Sequence, residues 1–172
     1  MHSNENKHEM ELRQSTEADL TEIETLALAT HPELMEQREV FAEKLELFPE
    51  GCLVLVRNGR VAGYGFSHPW LLNQIPPLNE FLLQLPAAPD CLFIHDVVVA
   101  PQARGGNSAQ AYIKRLSHLA RKRAIQRLAL VSVYGSHRLW SRFGFVAIRD
   151  DKLASKLKPY GDTARYMVCE LD

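Results

Sequence analysis

The chain has 172 residues, 46% hydrophobic and 24% charged, the composition of one globular domain with a sizeable core rather than of a disordered segment. A formal net charge of -1 excludes a broad nucleic-acid footprint, the apolar runs fall far short of a membrane span, and the polar start MHSNENKHEM does not read as a signal peptide. Three widely spaced cysteines, Cys52, Cys91 and Cys169, exclude a zinc-ribbon spacing and point to a reducing, cytoplasmic setting.

Residues 1–9 read as a mobile polar tail, and residues 10–172 as one domain. A first strand is expected over Met10 to Arg13. Ser15-Thr16-Glu17-Ala18-Asp19 then gives a hydroxyl cap with acids in the first turn, a helix start, and Leu20, Ile23, Leu26 and Ala27 make its apolar stripe. His31-Pro32 breaks that helix. A second is expected from about Pro32 to Phe48, burying Val40, Phe41, Leu45 and Phe48.

Cys52 to Arg57 and Arg60 to Phe66 are β-rich runs around Asn58-Gly59, the strongest two-residue hairpin signal, so an antiparallel pair is expected. Ser67 to Asp90 is proline-rich and too apolar for a solvated linker. Two readings stand: a loop with a short helix around Leu78 to Leu85 on the domain edge, or a wall of a substrate pocket.

Leu92 to Val99 is β-branched and apolar apart from His95-Asp96, the pattern of a strand buried on both faces. Pro101 ends it. Arg104-Gly105-Gly106-Asn107-Ser108-Ala109 opens a helix whose apolar face carries Ala109, Tyr112, Ile113, Leu116 and Ala120. Glycines before a helix let backbone N–H groups approach an anion, and the helix N-terminus adds partial positive charge, so the stretch reads as a phosphate or pyrophosphate cradle. It lacks the Gly-Lys-Ser/Thr ending of a Walker loop and the spacing of a dinucleotide fingerprint. Further strands are expected over Arg127 to Val133, Phe145 to Ile148 and Thr163 to Leu171. A short helix runs over Ser136 to Phe143, and Asp150 to Asp162 is a connection.

Val99-Ala100-Pro101-Gln102-Ala103 followed by Arg104-Gly105-Gly106-Asn107-Ser108-Ala109 resembles the acyl-CoA loop of the GNAT acetyltransferases. In that loop a strand ending V-x-P leads through two residues to Gln/Arg-x-x-Gly-x-Gly/Ala. The usual fourth-position glycine is Asn107 here, a mild departure because asparagine tolerates a left-handed backbone. Trp140 before Ser141-Arg142-Phe143-Gly144-Phe145 matches a second family feature, an aromatic ahead of Gly-Phe. The resemblance spans nearly the whole chain. It implies an α/β GNAT fold: a mixed central sheet of six to seven strands flanked by about four helices and splayed at the central strand.

The activity so implied is N-acetyl transfer from acetyl-CoA, as co-substrate, to a primary amine. A small amine acceptor attacking directly in a ternary complex is the first expectation. Acetylation of a protein N-terminus or lysine, and a non-catalytic acyl-CoA-binding module, are the alternatives. No metal, nucleic acid or membrane is implied, and a homodimer is one state that exposed sheet edges allow. By the resemblance, backbone groups of Val97, Val98 and Val99 hold the pantetheine and acetyl group, with the Val97 N–H as oxyanion donor. Arg104, Gly105, Gly106, Asn107, Ser108 and Ala109 hold the pyrophosphate.

A protonated alkyl amine must lose a proton before it attacks. His95 is the expected base: in a regular strand it shares a face with Val97, ~6.6–6.8 Å away, and its ordinary pKa suits neutral pH. Asp96 then points the opposite way as a structural carboxylate, unless a bulge exchanges the two. Trp140 replaces the tyrosine usual in the family and is expected to line the CoA sulfur or pack against pantetheine without serving as an acid; Tyr134 is the candidate replacement, with water as the alternative. Cys91 shares a face with His95 but lies ~13 Å off, too far for a thiol–imidazole pair. Arg121-Lys122-Arg123 reads as a solvated helix end, or as a partner for the CoA 3′-phosphate.

Overall fold

The computed structural model describes residues 10–172, so the predicted tail over residues 1–9 lies outside the described residues. In chain order the elements are β1 (Met10–Gln14), α1 (Leu20–Thr30), α2 (Arg38–Leu47), β2 (Cys52–Arg57), β3 (Arg60–Trp70), β4 (Cys91–Val99), α3 (Ser108–Lys122), β5 (Arg127–Ser132), α4 (His137–Ser141), β6 (Val146–Ala147), α5 (Ala154–Leu157) and β7 (Arg165–Glu170). Seven strands form one sheet in the order β1-β2-β3-β4-β5-β7-β6. β4 and β5 pair in parallel and the other neighbours antiparallel. This is the mixed α/β sheet expected, with α5, a single helical turn, added in the 150–162 connection.

Local chemistry explains the elements. Asn58 and Gly59 both adopt positive φ, 53° and 74°, which turns β2 back into β3 with the right twist. Ahead of α1, the Thr16 N–H donates to Asp19 Oδ2 at 2.8 Å in a capping box, and Arg13 clamps both oxygens of the same carboxylate at 2.8 and 2.9 Å.

α3 covers one face of the sheet, packing Tyr112, Ile113, Leu116 and Ala120 onto Leu92, Ile94, Leu128 and Leu130. Each large apolar side chain so buried contributes about 1.5–3 kcal/mol. α1 and α2 cover the other face, with Leu20, Ile23, Ala27 and Phe41 on Val54, Tyr64, Phe66 and Val98.

Three expectations change. The second helix does not run unbroken from Pro32. A 3-10 turn over Pro32–Leu34 gives way to extended backbone at Met35, and α2 starts only at Arg38. The break lets the Glu36 carboxylate turn inward, where its side chain is 3% exposed. No helix forms over residues 78–85. Asn79 and Leu83 hold positive φ, and the N–H groups of Leu82 and Leu83 donate to Glu43 at 2.6 and 2.8 Å instead of to a helical ladder. The second hairpin strand runs four residues past Phe66, to Trp70, so the loop is shorter than expected.

Candidate functional site

The sheet opens at its centre. β4 and β5 pair only over Leu92–Leu128, Phe93–Ala129 and Ile94–Leu130. Beyond Ile94 the strands part, while β4 stays paired with β3 as far as Val99. A cavity of about 850 Å³ fills the gap. One side is β4 from His95 to Val99 and the loop into α3; the other is the end of β5, Tyr134 and α4.

β4 keeps free backbone groups on that gap. The Ala100 N–H donates to Ala62 on β3 at 2.8 Å, so by alternation Val98 also faces β3. Val97 and Val99 then direct their N–H and C=O groups into the cleft. The Val99 carbonyl accordingly accepts from Arg104 Nε at 3.0 Å rather than from β3.

At the end of the strand, Gly105 has φ 91° and Asn107 is left-handed at φ 60°, ψ 15°. Asparagine thus takes the conformation for which glycine is usual. Ser108 begins α3, and its buried Oγ has no hydrogen-bond partner among the described residues. With the open N–H groups of the first turn, this end of the helix has the equipment for an anion. Arg104, Gly105, Asn107, Ser108 and Ala109 line the cavity. Gly106 turns toward β1, where an added Cβ would stand 3.4 Å from Met10 Cε. The Arg121–Arg123 run lies at the other end of α3, ~20 Å away by helical rise. Arg121 there donates to the Asp172 carbonyl, and Arg123 pairs with Glu50 over the Phe48 ring.

A β-bulge decides which side chains of β4 face the rest of the cavity. Phe66 pairs with Asp96 but Ser67 pairs with Ile94, so His95 is the extra residue. Alternation breaks there. Val97 belongs to the α3 side of the sheet, whereas His95 and Asp96 both turn toward α1 and α2. The expectation that His95 shares a face with Val97 is therefore corrected, as is the opposition of His95 and Asp96.

The His95 side chain is 1% exposed, and its Nε2–H donates to Glu36 at 2.8 and 3.0 Å. Its Nδ1 is buried without a partner among the described residues. Burial by itself would raise the Glu36 carboxyl, but His95 and Lys44 outweigh it and hold the group below the usual range. The Lys44 Nζ is 3.9 Å from Glu36, and burial pulls its ammonium down.

Asp96 accepts from the Tyr64 phenol at 2.5 Å on Oδ2, and its Oδ1 is 3.9 Å from His31 Nε2. Its side chain is 19% exposed and lines the cavity. Burial raises its pKa above the usual carboxylate value, against the Tyr64 hydrogen bond and the nearby His31.

Tyr134, 55% exposed with φ 52°, stacks on the His31 ring with centroids 5.4 Å apart. Burial, with Glu33 nearby, raises its phenol, which keeps its proton at neutral pH. Trp140, on α4, lines the same side of the cavity as Tyr134. Leu78 and Tyr160 also line the cavity, and the Tyr160 hydroxyl donates to the Pro76 carbonyl at 2.6 Å. The 71–90 segment is thus both a packed edge and a wall of the cavity. Cys91 is fully buried and its thiol is pushed up to about 12, which removes it as a nucleophile.

Sequence reasoning missed His31, Glu36, Lys44 and Tyr64. The only available signal was a histidine and a carboxylate in the link between two helices, and that pattern specifies no partner.

A family model described as the acetyltransferase (GNAT) family matches residues 14–145. No curated protein sequence gives a significant match. Among solved structures, Ard1 from Thermoplasma volcanium superposes with a TM-score of 0.71 at 13% identity, covering 95% of this chain and 98% of that one. Rv2747 from Mycobacterium tuberculosis, in complex with CoA and NLQ, gives 0.69 at 19% identity, covering 94% and 99%. N-acetylglutamate synthase from Neisseria gonorrhoeae, complexed with coenzyme A and N-acetyl-glutamate, gives 0.72 at 18% identity, covering 97% of this chain but 36% of that one. At these identities the likeness is one of fold.

Proposed function

The chain belongs to the acetyltransferase (GNAT) family, and from that premise we propose that it moves an acetyl group from acetyl-CoA to the primary amine of a small molecule. One observation carries the reading: β4 parts from β5 after Ile94, and the opened strand runs straight into the left-handed turn at Asn107 and the start of α3. A pantetheine arm fits the gap, where it replaces the missing strand partner by bonding to the free groups of Val97 and Val99. The pyrophosphate then meets the N–H groups at the start of α3 and the unpartnered Ser108 hydroxyl.

In this reading the thioester carbonyl lies against the Val97 N–H, a fixed donor for the oxyanion that forms on attack. The amine enters from the side of His31, Leu78 and Tyr160. The Asp96 carboxylate, on the cavity wall, gives that side an affinity for a cation. The bulge supplies the proton-accepting group, His95 or Asp96, and Tyr134 is the donor for the departing thiolate.

A small acceptor is favoured over a peptide by the wall of residues 71–90. Asn79 and the backbone of Leu82 and Leu83 are tied to Glu36, Gln37 and Glu43, and Tyr160 is tied to Pro76. These ties close the acceptor side where a peptide would need an open groove.

Calorimetric titration with acetyl-CoA, NADH and ATP tests the cradle: acetyl-CoA alone is expected to bind. Release of free CoA across a panel of arylalkyl amines, polyamines and short peptides then tests the acceptor. Turnover with peptides but not with small amines would overturn the small-molecule reading.

A further inference from the structure

We propose that Asp96, and not the histidine beside it, takes the proton from the acceptor amine. The inference rests on the acetyl-transfer reading above and names the group that prepares the nucleophile.

Geometry separates the two neighbours. His95 has 1% of its side chain exposed and its Nε2 committed to Glu36, and its remaining nitrogen, Nδ1, is buried out of reach of an incoming amine. Asp96 has 19% of its side chain exposed and lines the cavity. Its Oδ2 is fixed by the Tyr64 phenol, while Oδ1 makes no hydrogen bond among the described residues and stands 3.9 Å from His31 Nε2. One oxygen is thus anchored and the other is open to the cavity. Asp96 also directly precedes Val97, whose N–H faces the thioester position. With consecutive Cα atoms 3.8 Å apart, the open oxygen and the oxyanion donor bracket one small volume.

The groups facing Asp96 are Tyr64 from β3, His31 just after α1, Glu36 from the link before α2, Lys44 from α2, His95 from β4, Tyr112 from α3 and Tyr160 from the segment after α5. Burial keeps its pKa above that of an ordinary aspartate, which strengthens it as a base. In the step itself, an N–H proton of the ammonium passes to Oδ1, leaving a free lone pair. That pair forms the C–N bond at the thioester carbonyl. The C–S bond then breaks, and the CoA thiolate takes up a proton from Tyr134. The amide nitrogen loses its second proton to water, which restores Tyr134, and Asp96 returns its own to solvent; one proton is released per turnover.

The test uses 2-phenylethylamine and its β-fluoro and β,β-difluoro analogues, whose ammonium groups are progressively more acidic. Free CoA is measured over pH for wild type, Asp96→Asn and Tyr64→Phe. Asp96→Asn keeps the shape and a Tyr64 acceptor, so acetyl-CoA affinity should stay within roughly twofold, which reports an intact cleft. Its kcat on phenylethylamine should fall about 100-fold or more, and the loss should shrink along the fluorinated series as the amine needs less help. Tyr64→Phe removes a donor to the carboxylate and should move the acid limb of the profile to higher pH. A uniform loss along the series, or an unmoved acid limb in Tyr64→Phe, would overturn the role of Asp96 while leaving acetyl transfer intact. Wild type that binds acetyl-CoA yet releases no CoA with any of these amines would overturn the small-amine reading and this inference with it.

Discussion

Glu36 and His95, far apart in the chain, meet at 2.8 Å with side chains 3% and 1% exposed. Neither has water to fall back on. Removing Glu36 leaves both His95 and Lys44 unpaired, and removing His95 leaves Glu36 only the Asn79 N–H and the more distant Lys44; breaking such a buried pair costs about 3–5 kcal/mol. Glu36→Ala and His95→Ala should each lower stability by that order, and the double variant should lose little more than either single one. Urea denaturation of the four proteins checks the cycle. Additive losses would mean that the two side chains act independently.

The cradle makes a separate prediction. Gly105 has φ 91° and Asn107 has φ 60°. Gly105→Asp forces a side chain into that conformation and brings a carboxylate beside the pyrophosphate position. Acetyl-CoA affinity should fall by roughly tenfold or more, ~1.4 kcal/mol or greater. Asn107→Gly should bind as wild type does, and Asn107→Val should lose stability by about 1–2 kcal/mol. Calorimetry and thermal melts read both. Normal acetyl-CoA binding by a folded Gly105→Asp protein would move the pyrophosphate elsewhere.

What was legible in the sequence follows from how local each signal is. The Asn58-Gly59 turn, the α3 stripe and the left-handed tolerance of Asn107 are set by neighbours in the chain, and each lies where expected. The acceptor half is not local. The bulge at His95 arises from register against β3, and one extra residue turned two side chains onto one face. Lys44 sits on a helix whose apolar stripe was read correctly, but its own burial depends on Glu36 arriving from the preceding link. The absent helix over residues 78–85 is similar. Its N–H groups were claimed by Glu43, some forty residues earlier in the chain. Periodicity cannot report such partners.

Asp19 gives a pH-dependent test. The Arg13 hydrogen bonds, opposed by burial and aided by the Thr16 N–H, hold its carboxyl below the usual value. Its folded pKa is therefore lower than its unfolded one. The carboxylate contributes stability that is complete above the unfolded pKa, ~3.9, and is lost as pH falls through the depressed folded value. Asp19→Asn should cost about 1–2 kcal/mol at neutral pH through the capping box and the Arg13 clamp. Wild type and variant should converge in chemical denaturation once the pH has fallen below the depressed folded value. A constant gap over the whole range would show that packing, not charge, sets the contribution.

Gly51 links the packing to the site. A Cβ placed there would lie 2.2 Å from the Ser67 backbone carbonyl and 2.6 Å from Phe48 Cδ1. Neither neighbour has room to give: Phe48 is in the core, and the Ser67 hydroxyl donates to the Gly51 carbonyl at 3.1 Å. Overpacking of this kind costs about 1–3 kcal/mol. Ser67 also stands where the β3–β4 register shifts, across from the extra residue His95. Gly51→Ala should therefore do more than lower the melting temperature. By pushing β3 at the bulge it should shift Asp96, so on the proposed reading kcat falls, while acetyl-CoA, whose proposed contacts lie on the opposite edge of β4 and at the start of α3, still binds. Paired melting curves, calorimetry and CoA-release assays separate the effects. A destabilised variant with wild-type kcat at permissive temperature would show that the bulge tolerates movement of β3.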